Sequence, residues 1–414
     1  MARLPGVDDP SERDERIVLH VDADCFYAAC ERLREPALEG EPVVVGMGYE
    51  PGETSGAVAT ASYEARAHGI ESAQAISTAI DLLPNRAETG GAETNETGYY
   101  RPVDMEFYKS VSADVSSILA DCADVVRKVS IDESYLDVTD RTAWEVADGF
   151  GRHVKDRIRR EVGVTVSVGV GPSMSVAKIA SDFDKPDGLT VVPPAEVMTF
   201  LKPLSVSLLH GVGPVTAREL REMGIKTAGE LAAADPGPLI ERFGERGREL
   251  YDQARGEDDR PVTPKGRPKS FSRESAFGEA VEATEPKLEA VSRLAAAVAD
   301  RARQEGALYR TIGIKAVTPP FAVNTRAQSL SGPVDDPELV ERIALSLFEE
   351  FHSAPVRKLG VRVANLEFAA GDQTSLEGWE QSSGAKPTAE ETATPSTDGT
   401  PNSQGEQYDL TDFL

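Results

Sequence analysis

The sequence predicts a multidomain α+β protein, and three observations carry that prediction. Its 414 residues exceed what one ordinary core organises, so two to four domains are expected. From Ile17 onward, strand-like runs (IVLHVDAD, EPVVVG, VTVSVGVG, GLTVVPP) alternate with helical text. Residues 271–370 then read strand, long helix (EPKLEAVSRLAAAVADRARQEG), strand (YRTIGIKAV), strand, helix (PELVERIALSLFEEF), strand (KLGVRVANLEF). That is a βαββαβ order, an α+β sandwich.

Residues 1–15 read as a charged, frayed leader, followed by a mixed α/β body over 16–193. Within that body, 86–98 (RAETGGAETNETG) reads as a surface loop or insertion. Residues 194–258 are helical with short Gly-containing turns (HGVGP, EMGIKT, RFGERG), and 259–270 (DRPVTPKGRPKS) carry three prolines and read as a linker. Beyond Ala370 the text falls to Ser, Thr, Gly, Pro, Gln and Glu. Nine acids stand against one lysine over 371–414, which predicts a disordered tail.

The charge is −26, from 44 Lys+Arg against 70 Asp+Glu, with lysine scarce and acids spread along the chain. Such a surface suits a salt-loaded cytoplasm, hence a halophile. The usual inference from −26, that the chain avoids nucleic acid, is weak in such a setting. Counterion release fades at high salt, and only local basic clusters stay informative. No apolar run approaches the roughly 18 residues of a membrane span, and the start lacks a signal-peptide core. The three cysteines (Cys25, Cys30, Cys122) have no zinc spacing and suit a reducing compartment. A cytoplasmic protein with no membrane partner is expected.

The stretch VRKVSIDESYLDVTD places Asp132 and Glu133 side by side among strand formers. Adjacent buried carboxylates need a counter-charge. The stretch IVLHVDADCFYAACE supplies a third acid, Asp22, at the end of an apolar strand, with helical text from near Cys25. Three carboxylates without histidine are hard oxygen ligands, favouring Mg²⁺, with Mn²⁺ also possible. Two such ions ~4 Å apart clamp the attacking and leaving oxygens of a phosphoryl transfer. In AVATASYEARAHGI, Thr60, Tyr63 and Arg66 at i, i+3, i+6 fit one helical face that grips a triphosphate. Lys185, just before Pro186 where a helix must stop, is placed to neutralise phosphate. The glycines at 169 and 171 are no P-loop, because no GK[ST] follows.

Together VDADCFYA, AVATASYEARAHG, SIDESYLD, AKIASDFDKPDG and LHGVGPVTA, in this order, resemble the Y-family translesion DNA polymerases of the DNA polymerase IV (DinB) type. The likeness runs over roughly residues 16–370 and, with the acidic composition, points to a haloarchaeal member. It implies a right hand of palm with fingers (16–193, fingers about 25–92), helical thumb (194–258) and little finger (271–370). It further implies that Asp22, Asp132 and Glu133 hold metal with the Ala23 carbonyl, and that Glu133 is the catalytic acid. Tyr27 falls where the family keeps a bulky ring against a 2′-OH. Phe26, Thr60, Tyr63, Arg66 and Lys185 fall on nucleotide-contacting positions. Asp24 is acidic too, but is expected to be structural.

LLHGVGPVTARELREMGI reads helix, Gly-x-Gly turn, helix with Pro214 at its first position, and resembles a helix-hairpin-helix. Gly211 and Gly213 would let the backbone approach a DNA phosphate. Arg260, Lys265, Arg267, Lys269 and Arg273 form the densest basic run, with Arg267 and Lys269 expected against the duplex. The terminal QYDLTDFL matches a sliding-clamp box through Gln407, Leu410, Phe413 and Leu414, although Leu414 replaces the usual second aromatic. The resulting expectation is a monomeric DNA polymerase using dNTPs, primer-template DNA and two Mg²⁺, without proofreading and tethered to a sliding clamp. Two rivals stand beside it. A nucleotidyl cyclase-like palm is opposed by the hairpin, the extra domain and the clamp box. A DNA- and clamp-binding scaffold with an inactive palm is opposed by the intact acids.

Overall fold

The computed structural model describes residues 16–89 and 96–368, and the chain divides into two units between Gly266 and Arg267. The division falls inside the stretch read as a linker. The leader, part of the 86–98 insertion, and the tail with its clamp box lie outside the described residues.

The first unit is built on β1 (Val18–Ala23), β2 (Val43–Met47), β3 (Ala57–Ala61), β4 (Tyr99–Pro102), β5 (Val125–Lys128), β6 (Glu133–Asp137), β7 (Val166–Gly171) and β8 (Leu189–Val191). Its helices are α1 (Phe26–Arg34), α2 (Tyr63–Arg66), α3 (Ile76–Leu82), α4 (Met105–Cys122), α5 (Ala147–Glu161), α6 (Met174–Phe183), α7 (Val197–Leu201), α8 (Pro214–Glu222), α9 (Ala228–Ala233), α10 (Pro236–Phe243) and α11 (Glu245–Ala254).

One sheet runs β5-β6-β1-β7-β8, with β1 antiparallel to both neighbours. Strand β1 is therefore central, and all six of its residues are buried. Successive side chains face opposite sides. Leu19, Val21 and Ala23 enter the core that takes residues from α1, α4 and α5. Val18 packs on the other face with Tyr135, Met174 and Ala177, which puts His20 and Asp22 on the α6 side. Helix α6 comes very close to the sheet. A Cβ on Gly169 would stand 2.0 Å from the Ala177 carbonyl oxygen and 2.2 Å from the Ser181 nitrogen. Only glycine lets strand and helix backbones meet this way.

A smaller sheet, β3-β2-β4, packs with α2 and α3 around Val44, Tyr49, Ile76 and Tyr100. Residues 194–254 are helical, with a core of Leu201, Leu220, Leu231 and Leu250. The stretch read as a linker is pinned at its start. Arg260 forks onto the buried Asp258 carboxylate at 2.7 and 2.9 Å, and Lys265 reaches the Val129 carbonyl at 3.3 Å.

The second unit consists of β9 (Ser270–Val281), α12 (Thr284–Gln304), β10 (Ala307–Thr318), β11 (Ala322–Val334), α13 (Pro337–Phe348) and β12 (Val356–Phe368). This is the βαββαβ order that the sequence predicts. The strands form an antiparallel sheet, β11-β10-β12-β9. Ala295, Val298 and Phe348 from the helices fill its covered face against Ile312 and Val363.

Candidate active site

Three backbone arrangements assemble the acids. Asp22 lies directly opposite Glu133 in the β1–β6 ladder. The stretch holding Asp132 and Glu133 is a hairpin: β5 ends at Lys128, and Asp132 sits at the turn immediately before β6. The Ala23 N–H donates to the Asp132 carbonyl at 3.1 Å, which ties that turn to the end of β1. Cys25 then adopts a left-handed conformation (φ 48°) that turns strand into α1 within two residues.

The counter-charge that the carboxylates require comes from α6 and the turn that follows it. Lys178 donates to Asp22 Oδ2 at 2.9 Å and to Glu133 Oε1 at 2.6 Å. Lys185 lies 2.6 Å from Asp22 Oδ1 and 3.0 Å from Asp182. Burial opposes ionisation of Asp22, yet the two ammonium groups hold its carboxyl well below the ordinary range. Glu133 is pushed up to about 7, first by burial and then by the Asp22 charge, against the pull of Lys178. Asp132 is raised by burial, with Ser130 Oγ donating to it at 2.6 Å in the opposite sense. Lys178 lies in the quoted AKIASDFDKPDG, yet sequence reasoning did not single it out. Lys185 lies beyond the end of α6 at Phe183, so no helical spacing ties the two lysines together.

Tyr27, on the first turn of α1, stacks on Tyr108 with centroids 4.6 Å apart and planes at 16°. The Tyr108 hydroxyl donates to Glu31 at 2.7 Å. Burial, then the Asp132 charge, pushes the Tyr27 phenol up to about 12, so it stays protonated. Phe26 is buried beside it.

The expectation that Thr60, Tyr63 and Arg66 share one helical face is not met. Thr60 lies on β3 opposite Val45, and α2 begins only at Tyr63, capped by Ser62. The β-branched run AVAT pairs with β2 instead of winding. Arg66 turns back, donating to the Ala61 carbonyl at 3.0 Å, with its guanidinium 4.9 Å from the Tyr63 ring centre. The Tyr63 hydroxyl reaches Asp24.

The first limb of the predicted hairpin is likewise shorter than a helix, a 3₁₀ turn over Val206–Leu208. Gly211 (φ +79°) accepts from Arg246 through its carbonyl, and Gly213 caps α8. A cavity of about 410 Å³ lies between this turn and α6, lined by Lys178, Asp182, Phe183, Leu208, His210 and Gly211. In the second unit, Arg267 lies over the Phe368 ring at 5.0 Å, and Lys269 is exposed.

Comparison with known proteins decides the family. The impB/mucB/samB family matches residues 21–182, its C-terminal domain 268–376, and the IMS family HHH motif 194–225. DNA polymerase IV of Halobacterium salinarum is 62% identical over 377 residues, covering 91% of this chain and 90% of that protein. The chain belongs to the DNA polymerase IV branch of the Y-family polymerases. DNA polymerase IV of Methanoculleus marisnigri is 42% identical, covering 87% of this chain and 98% of its own. Among solved structures, a Y-family chimera of Dbh and Dpo4 superposes with a TM-score of 0.74 at 28% identity, covering 85% and 99%. An insertion ternary complex of Dbh polymerase gives 0.61 at 27%, with the same coverage.

The donor set fits the divalent ions of Y-family chemistry. Asp22 and Glu133 present oxygens to one point, already bridged by a cationic ammonium, and Asp132 stands at the adjoining turn. Hard ions prefer such oxygen donors. Among the described residues no helix is long and apolar enough to cross a membrane.

Proposed function

We propose that this Y-family chain is a template-directed, low-fidelity DNA polymerase. It extends a primer 3′-OH with deoxynucleotides, releases pyrophosphate, bypasses lesions and does not proofread. The observation that carries the reading is the direct opposition of Asp22 and Glu133 under two lysine ammonium groups.

Asp22, Asp132 and Glu133, with the Ala23 carbonyl, would hold two Mg²⁺ ions, or Mn²⁺ in their place. Such ions, when bound, supply Lewis-acid stabilisation of the reacting phosphoryl group. The protein contributes mainly position and charge. Lys185, Arg66, Tyr63 and Thr60 would contact the triphosphate, and Phe26 the nucleotide. When a nucleotide and its ions enter, Lys178 and Lys185 are free to exchange carboxylate for phosphate. The Tyr27 ring, fixed by Tyr108, would exclude a 2′-OH.

The cavity between α6 and the Gly211 turn supports a primer strand running from the acids to the helix-hairpin-helix. There Gly211 and Gly213 would approach backbone phosphate, a contact that reads no sequence. Arg267 and Lys269 would do the same from the second unit. The box Gln407, Leu410, Phe413 and Leu414 would dock on a sliding clamp, its long tether raising the effective concentration.

Pyrophosphate release tests the reading. One pyrophosphate per nucleotide added to a primed template is expected, whereas a scaffold would bind primed DNA and release none.

A further inference from the structure

We propose that His20, Asp22 and Glu133 form a mixed nitrogen–oxygen site for a nitrogen-seeking divalent ion such as Zn²⁺, which competes with the all-oxygen ligation used for DNA synthesis. A ring nitrogen of His20 and one carboxylate oxygen each from Asp22 and Glu133 all lie within 4.8 Å of one another. His20 precedes Asp22 by two residues, on the same face of β1 by strand alternation, and its ring packs on Tyr135, the residue two beyond Glu133 on β6. It is completely buried.

Hydrogen bonding settles which nitrogen is available. His20 Nδ1 lies 2.8 Å from Ser181 Oγ, and the single Ser181 hydroxyl proton is donated to the Lys178 carbonyl at 2.8 Å. Nδ1 must therefore carry the proton and donate to Ser181. Nε2 is left with a bare lone pair, and among the described residues no hydrogen-bond partner meets it. An imidazole whose far N–H is fixed by a neighbouring acceptor, with its other nitrogen unpartnered, has the arrangement of a metal-ligating histidine. Buried polar atoms are ordinarily paired, so the orphan needs a reason.

The donor chemistry selects the ion. Carboxylates alone suit Mg²⁺, whereas adding imidazole favours Zn²⁺ and its neighbours. Tetrahedral zinc ligands stand about 3.3 Å apart, and rotation of the partly exposed Glu133 side chain can bring its oxygen in. Such an ion must displace the Lys178 ammonium from both acids, and it removes Asp22 and Glu133 from the catalytic set. Zinc would thereby brake synthesis by occupying the acids without supplying the two-ion geometry.

The proposal shares its acids with the polymerase reading but not its readout. Zn²⁺ binding is measured on the full chain in a molar, chloride-free potassium salt, for wild type and His20→Gln, with Mg²⁺ as competitor. Expected are one Zn²⁺ per chain displaced by excess Mg²⁺, an affinity at least ~10-fold weaker in His20→Gln, and imidazole scattering in the zinc X-ray absorption spectrum of the wild type. Equal affinity in His20→Gln, or a wild-type spectrum with oxygen ligands only, overturns it. Should His20→Gln fail to fold, the wild-type spectrum and its loss on Mg²⁺ competition decide alone. A chain that binds zinc this way yet adds no nucleotide would sink the polymerase reading and leave the zinc site standing.

Discussion

The Tyr63 hydroxyl donates to Asp24 Oδ1 at 3.2 Å, and the other oxygen of the same carboxylate accepts the Asp187 backbone N–H at 2.8 Å. Ser167 Oγ donates to both oxygens, at 2.9 and 3.0 Å. One buried acid at the start of α1 thus joins the Tyr63 turn to the Lys185–Asp187 turn, the two segments proposed to meet the triphosphate. Burial raises the Asp24 carboxyl despite these donors.

Replacing Asp24 with alanine should therefore cost more than stability. Unpaired buried donors put the loss at about 2–4 kcal/mol, read as a lower denaturation midpoint. With Tyr63 and Lys185 no longer held in common, kcat/KM for dNTP should fall by roughly 10–100-fold, mostly through KM. A variant with unchanged KM would show that Asp24 only supports the fold.

Tyr27→Ala should admit ribonucleotides, raising their use relative to deoxynucleotides by roughly 10–200-fold. Tyr108→Ala, which removes the stacked ring but leaves Tyr27, should give a smaller change in the same direction. Single-nucleotide incorporation with matched sugar pairs measures both. Unaltered selectivity in Tyr27→Ala would remove the ring from sugar discrimination.

Gly169→Ala should destabilise the first unit by about 3 kcal/mol or more, because the new methyl meets helix backbone and not a movable side-chain tip. The same displacement moves Lys178, so activity should fall alongside the melting temperature. Gly149→Ala, with nothing within 4 Å of its Cβ among the described residues, serves as the control and should be neutral to slightly stabilising.

Asp258 links stability to pH. Burial alone would raise its carboxyl, but the Arg260 fork and the Ser175 N–H at 3.0 Å hold it below 3.8. A depressed folded-state value gives stability that is present above the unfolded value near 3.8 and is lost as pH falls below it. Asp258→Asn should thus cost about 1–3 kcal/mol at pH 7, and the gap to wild type should close as acid denaturation is approached. A gap independent of pH would contradict the assignment.

Strong periodicity made the βαββαβ unit and the buried β1 legible in the sequence, and the acids could be found because each abuts an apolar strand. The error at Thr60, Tyr63 and Arg66 came from applying helical spacing across Ser62, where an N-cap marks the end of a β-branched strand. Lys178 was hidden because a lysine on an amphipathic helix ordinarily faces water. Its role depends on how α6 lies over Gly169, and a local pattern does not encode that approach. His20 was hidden for the same reason, reading as one apolar-strand position until its hydrogen bonds fixed the tautomer.

The decisive measurement compares wild type with Asp132→Ala on a primed template with Mg²⁺ in molar KCl, with DNA binding measured alongside. Wild type should extend the primer, whereas Asp132→Ala should bind the DNA yet extend it at least ~1,000-fold more slowly. Equal extension by Asp132→Ala, or none by wild type at any salt despite bound DNA, would contradict the polymerase reading.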